Sequence, residues 1–190
     1  MDYRPALYGR GGIAVYVREI ARALARVHPE DLLDLQAWRL RRGPASADRE
    51  VDGASRGRAL LRTARVPSQV LGVLARLGWG PDRLTPGGAD VVHWTDYVAP
   101  PPVRAPLVAT VHDLLFEELP GCYTAAMRRG LRRATTRLVR TARRFVVPSR
   151  RTREALTAGY GVDSARMDVV EEGVGSLLTN TDNSDNYELK

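Results

Sequence analysis

Apolar side chains recur at helical spacing from residue 13 onward. Ile13, Val17, Ile20, Leu24 and Val27 fall on one face and predict a first helix over residues 12–27. LLDLQAW then reads as a strand, and the polar, small-residue stretch RRGPASADREVDGASRG (41–57) as a loop. ALLRTARVPSQVLGVLARLG (59–78) returns to helical spacing and predicts a helix kinked or broken at Pro67. ADVVHWTD and PLVATVHD predict two short strands, separated by the turn-rich APPPVRAP. A long arginine-rich helix is expected over residues 123–143, then a strand in RFVVPS, a helix in RRTREALTAGY ended by glycine, and a last strand in MDVVEEGV. Short β-rich runs alternating with helices imply a parallel sheet covered on both faces, the doubly wound, Rossmann-like α/β class.

The ends depart from this pattern. Only MDYRPAL precedes the glycine-containing YGRGG, so the first strand is expected to be short or missing. Residues 175–190, GSLLTNTDNSDNYELK, hold every asparagine of the chain, its single lysine and no arginine. They are expected to form a disordered, foreign-looking tail. The expected division is a domain over residues 1–174 and a tail over 175–190, with both ends cut.

Composition narrows the class. The 190 residues suffice for one domain with a real core, and 44% hydrophobic with 27% charged residues is ordinary for a globular protein. No run approaches the roughly 18–20 apolar residues of a membrane span, and the amino end lacks an apolar signal region. Cys122 is the single cysteine, which excludes an internal disulfide framework and fits a reducing, cytoplasmic setting. The formal net charge is +7, carried by 28 arginines spread over the chain. Such spread reads as a solvated basic surface rather than a nucleic-acid site. One cluster stands apart: Arg128, Arg129, Arg132, Arg133, Arg137, Arg140, Arg143 and Arg144, opposite Met127, Leu131, Leu138 and Val139. A face of that kind suits phosphates or anionic lipid headgroups, hence peripheral contact with the inner face of the plasma membrane.

The chemically distinctive residues sit at the expected carboxyl ends of strands, where ligands bind in open α/β sheets. Gly11 and Gly12 follow the first strand; His93, Trp94 and Asp96 follow ADVV; His112 and Asp113 close LVATV; Ser149 closes RFVVP; Glu171 and Glu172 close MDVV. Each has a plain alternative. The glycine pair lacks the full dinucleotide and P-loop fingerprints, so it either makes a turn or lets a ligand approach bare backbone at a helix N-terminus. His93 fits a satisfied structural histidine. For His112, the neighbouring Asp113 is a candidate to fix the ring's tautomer, or else a helix cap. Three histidines and one cysteine, far apart, give no metal-ligand spacing, and no nucleophile elbow or triad spacing occurs.

Together these stretches resemble the N-terminal half of a family 4, retaining glycosyltransferase of the GT-B architecture. The carriers are DYRPALYGRGGIAVYVREIARAL, DVVHWTDYVAPP, PLVATVHDLLFEELP and RFVVPSRRTREALTAGYGVDSARMDVVEEGV, in that order over residues 2–174. The resemblance implies transfer of a sugar, a hexose by type, from a nucleotide-sugar co-substrate to a glycan, lipid or small-molecule acceptor, with no metal or other cofactor. It places Gly11 and Gly12 against the donor diphosphate or sugar, His112 at the transferred sugar as the catalytic residue, and Ser149 near the interdomain cleft. His93, Trp94, Asp96, Tyr97 and Asp113 would line the acceptor side. In that family a second Rossmann-like domain supplies the arginine, lysine and glutamates that grip the donor, and nothing after Val174 matches it. The chain is therefore expected to be inactive alone, or to pair with a separate donor-domain chain.

Overall fold

The computed structural model describes residues 1–8, 11–38, 59–64, 77, 80–96 and 103–173. Helices α1 (Arg4–Tyr8) and α2 (Gly12–Val27) are followed by parallel strands β1 (Leu33–Trp38) and β2 (Ala59–Ala64). Then come β3 (Val92–Trp94), β4 (Leu107–Thr110), the short α3 (Leu115–Glu118) and the long α4 (Ala125–Thr141). β5 (Arg144–Val147), α5 (Arg150–Tyr160) and β6 (Met167–Val169) complete the fold.

β3, β4, β5 and β6 form one parallel ladder in that order, and β1 pairs with β2 in another. Met1–Tyr3 join the two. Asp2 bridges Gln36 in parallel, Tyr3 N donates to Gln36 O (2.8 Å), Gln36 N donates to Met1 O (2.9 Å), and Asp2 N donates to His93 O (2.9 Å). Met1–Tyr3 thus takes the place of a first strand. With it the sheet runs β2, β1, Met1–Tyr3, β3, β4, β5, β6, which in chain order is 3-2-1-4-5-6-7, the doubly wound arrangement. The direction of winding reverses between the first strand and β3. Below Met1 a cavity of about 370 Å³ continues between the amino ends of β1 and β3, lined among others by Leu33, Asp34, Asp82 and Val91.

Two clusters hold the layers. On the four-stranded side Trp94, Phe116 and Phe145 are each at most 1% exposed, packed with Leu107, Leu138 and Leu156. Burying one such large apolar side chain contributes about 1.5–3 kcal/mol. A smaller cluster joins Tyr3, Ala6, Val17, Ala21 and Leu35, pressing α1 and α2 onto β1. The α2 boundaries match the periodicity, but its buried line is Ala14, Val17 and Ala21, while Val27 at the last turn is 63% exposed. On α4, Thr135 and Leu138 are buried and Met127 is 54% exposed, so the expected apolar face begins a turn later than its first member.

One expected element is corrected. Residues 59–64 form strand β2, in register with β1 from Leu33↔Ala59 to Trp38↔Ala64. Alanine, leucine and arginine are strong helix formers, but an open edge of β1 offers a six-residue parallel ladder, and such pairing overrides propensity. The rest of that expected helix, Pro67 included, lies outside the described residues, as do the loop 41–57 and the tail 175–190. The short helix α1 was not expected; Asp2 opens it by accepting Arg4 N (3.2 Å) and gripping the Arg4 guanidinium through Nε and Nη2, both at 2.8 Å.

Candidate functional site

The carboxyl edge of the sheet converges on one imidazole. His112 lies just past β4, with its side chain 9% exposed. Its Nδ1 donates to Glu172 Oε1, beyond β6, at 2.7 Å. Its Nε2 lies 3.3 Å from the Thr95 carbonyl, directly after β3. The ring of Tyr16 on α2 meets it edge to face, centroids 4.9 Å apart at 88°. Thr152 Oγ1, in the first turn of α5, donates to the His112 carbonyl at 3.3 Å. Three strand ends and two helices therefore meet at one residue through these polar and aromatic contacts.

A second network lies beneath. Thr110 Oγ1 is 2.8 Å from His93 Nε2 and 3.1 Å from the Tyr16 hydroxyl. Burial, reinforced by the Met1 ammonium, pushes the His93 pKa down to about 4, so the ring is neutral at pH 7. With His93 neutral, a consistent hydrogen-bond sense runs from Tyr16 through Thr110 to His93. The same burial raises the Tyr16 phenol above its ordinary range, keeping it a donor.

Gly11 and Gly12 open α2, and Tyr16 is one helical turn, about 5.4 Å, beyond Gly12 on the same face. Gly11 is extended (φ −114°, ψ −174°) and supplies no side-chain cap. Neither glycine has a positive φ, and a Cβ on either would meet no atom within 4 Å. A tight turn is therefore not what demands glycine here.

The other expected site residues divide. Ser149 caps α5: its Oγ accepts from Thr152 N at 3.1 Å. Trp94 is corrected. It is 1% exposed, packed in the larger core with the Arg4 guanidinium 4.6 Å over its ring, because alternation along β3 turns it away from His93. It can support an acceptor wall and cannot face one. Of the two readings of Asp113, the contact seen is the one at the helix start: its Oδ1 accepts from Leu115 N at 3.0 Å, while Glu172 meets His112 Nδ1. Asp96 is half-buried just past Thr95, and Tyr97 lies outside the described residues. Tyr16, Thr95 and Thr110 carried no signal strong enough to find beforehand, although Tyr16 stands four positions from Gly12. Glu172 was visible at a strand end, without its partner. Among the described residues no group of His, Cys, Asp and Glu is placed to hold a metal ion. In the arginine cluster, Arg132 pairs with Glu117 (Nε–Oε1 2.8 Å), Arg128 donates to the Phe116 carbonyl, and Arg144 belongs to β5, where it pairs with Asp168.

The sequence profile of Glycosyltransferase Family 4 matches residues 10–175. The chain belongs to glycosyltransferase family 4. The matched span holds α2, every strand from β1 to β6, and all the rim residues just described. Among solved structures, this family 4 glycosyltransferase domain is similar to Anabaena Alr3699/HepE, crystallised in complex with UDP and glucose. The TM-score is 0.53 at 14% identity, over 90% of this chain and 42% of that one. At that identity the likeness is one of fold, and the family 4 domain spans less than half of the HepE chain. No curated protein matches it. No helix among the described residues is long and apolar enough to cross a membrane.

Proposed function

We propose that this chain is the acceptor-side half of a retaining GT-B glycosyltransferase that moves a hexose from a nucleotide-sugar to a glycan, lipid or small-molecule acceptor. The observation that carries the reading is the convergence of β3, β4, β6 and α2 on His112, whose ring meets Tyr16 one helical turn beyond Gly12. That HepE was solved with UDP and glucose supports a nucleotide-sugar as donor. In this reading the exposed glycine pair lets the donor diphosphate or sugar come against the N-terminus of α2, whose unpaired N–H groups and partial positive charge favour an anion. His112 reaches the transferred sugar's hydroxyls and sets the position of its anomeric carbon. Catalysis then rests on orientation and on positive charge at the leaving diphosphate, which a second, donor-binding domain supplies in the same polypeptide or on a separate chain. No metal takes part. Asp96 and His93 stand on the acceptor side, and Ser149 acts through its cap on α5.

The test is turnover with the donor-binding domain supplied. His112→Ala is expected to lower kcat about 100-fold, the loss typical of misplaced reacting groups, while the melting temperature changes little. Equal loss of folding and activity would return His112 to a structural role. Gly12→Val is expected to fold normally, since its side chain enters open space, and to raise the KM for donor. The 190 residues by themselves are expected to give no turnover with any nucleotide-sugar, and a measured rate would overturn the two-domain requirement.

A further inference from the structure

Both ring nitrogens of His112 face acceptors, but unequally. The Nδ1 contact with a carboxylate is short, at 2.7 Å; the Nε2 contact with the Thr95 carbonyl, at 3.3 Å, is near the limit of a useful hydrogen bond. The Tyr16 ring stands against the imidazole edge to face and restricts its swing. Asp113, the sequence neighbour, has Oδ1 turned to Leu115 N. Glu172 instead reaches back across 60 positions from beyond β6, with its own side chain 36% exposed.

We propose that Glu172 is the positioning residue of His112: it keeps a proton on Nδ1 and fixes the ring, so that Nε2 is the atom presented to a hydroxyl of the sugar. A carboxylate anchoring one imidazole nitrogen determines what the other can do, as in the partners that orient metal-bound histidines. The role in transfer rests on the glycosyltransferase reading above; the Glu172–His112 contact does not. Because Glu172 follows β6, the pair also ties the last strand of the sheet to the reacting end of β4.

Nitrogen-resolved NMR of the His112 imidazole in the 190-residue chain tests the contact, with thermal unfolding as the check on folding. Wild type is expected to show a protected Nδ1–H. Glu172→Ala is expected to lose that signal, and Glu172→Gln to keep it, because the amide oxygen still accepts. A protected Nδ1–H persisting in folded Glu172→Ala, or its loss in Glu172→Gln, overturns the proposal. With the donor domain supplied, Glu172→Ala is expected to lower kcat about tenfold at unchanged KM, with Glu172→Gln recovering most of it. Unchanged kcat in Glu172→Ala, where His112→Ala lowers it about 100-fold, rejects a positioning role. Full turnover in His112→Ala rejects the sugar-transfer reading itself, while the NMR result stands.

Discussion

His93 in β3 and His112 just past β4 are linked through Thr110 and Tyr16, and have been given different surroundings. His93 is enclosed, hydrogen-bonded to Thr110 and held neutral, with its pKa depressed to about 4 by burial and by the Met1 ammonium. An unfolded chain binds that proton near pH 6.5. Between about pH 6.5 and 4 the unfolded state therefore carries more protons, and stability falls as the pH is lowered through that window. The full span is worth about 3 kcal/mol, and His93→Gln is expected to flatten that part of the pH dependence of urea unfolding. An unaltered slope in the variant would show that His93 is not the group being protected. In sequence the two histidines look alike, each following an apolar run and preceding an acid. What separates them, Met1 on one side and Glu172 on the other, comes from opposite ends of the chain, so no local pattern could have assigned them.

Elements were legible where their boundaries are chemical. α2 starts at the glycine pair and keeps its period for 16 residues; α5 starts at Ser149 and stops at Gly161, whose φ of +66° few other residues adopt. Ser149→Ala is expected to destabilise the chain by about 1 kcal/mol, read from denaturant midpoints, with Ser149→Asp restoring it through the same acceptor position. A neutral Ser149→Ala would leave the hydroxyl free for the cleft role that its place after β5 first suggested. β2 was not legible. ALLRTA carries helix-forming residues, and its identity as a strand is conferred by the edge of β1 alongside it. The rim could be inferred because most site candidates follow strands, whereas the inward turn of Trp94 depends on which face of the three-residue β3 meets the core.

Across the whole molecule the doubly wound parallel class was implied by alternating strands and helices, yet the way its two halves are fastened was not. Met1–Tyr3 make main-chain bonds to Gln36 of β1 on one side and His93 of β3 on the other. Asp2→Pro removes the amide that meets the His93 carbonyl, and is expected to destabilise the fold by about 1–3 kcal/mol more than Asp2→Ala, which loses the carboxylate alone. Equal melting temperatures for the two variants would show that the backbone bond contributes nothing. Among the described residues, this terminal tripeptide is the hinge pin of the sheet. A pulling force applied at the amino end would load it directly and draw it out lengthwise, parting the two-stranded leaf from the four-stranded one while each leaf kept its own ladder. Single-molecule extension should then register a short, low-force rip ahead of the main unfolding event.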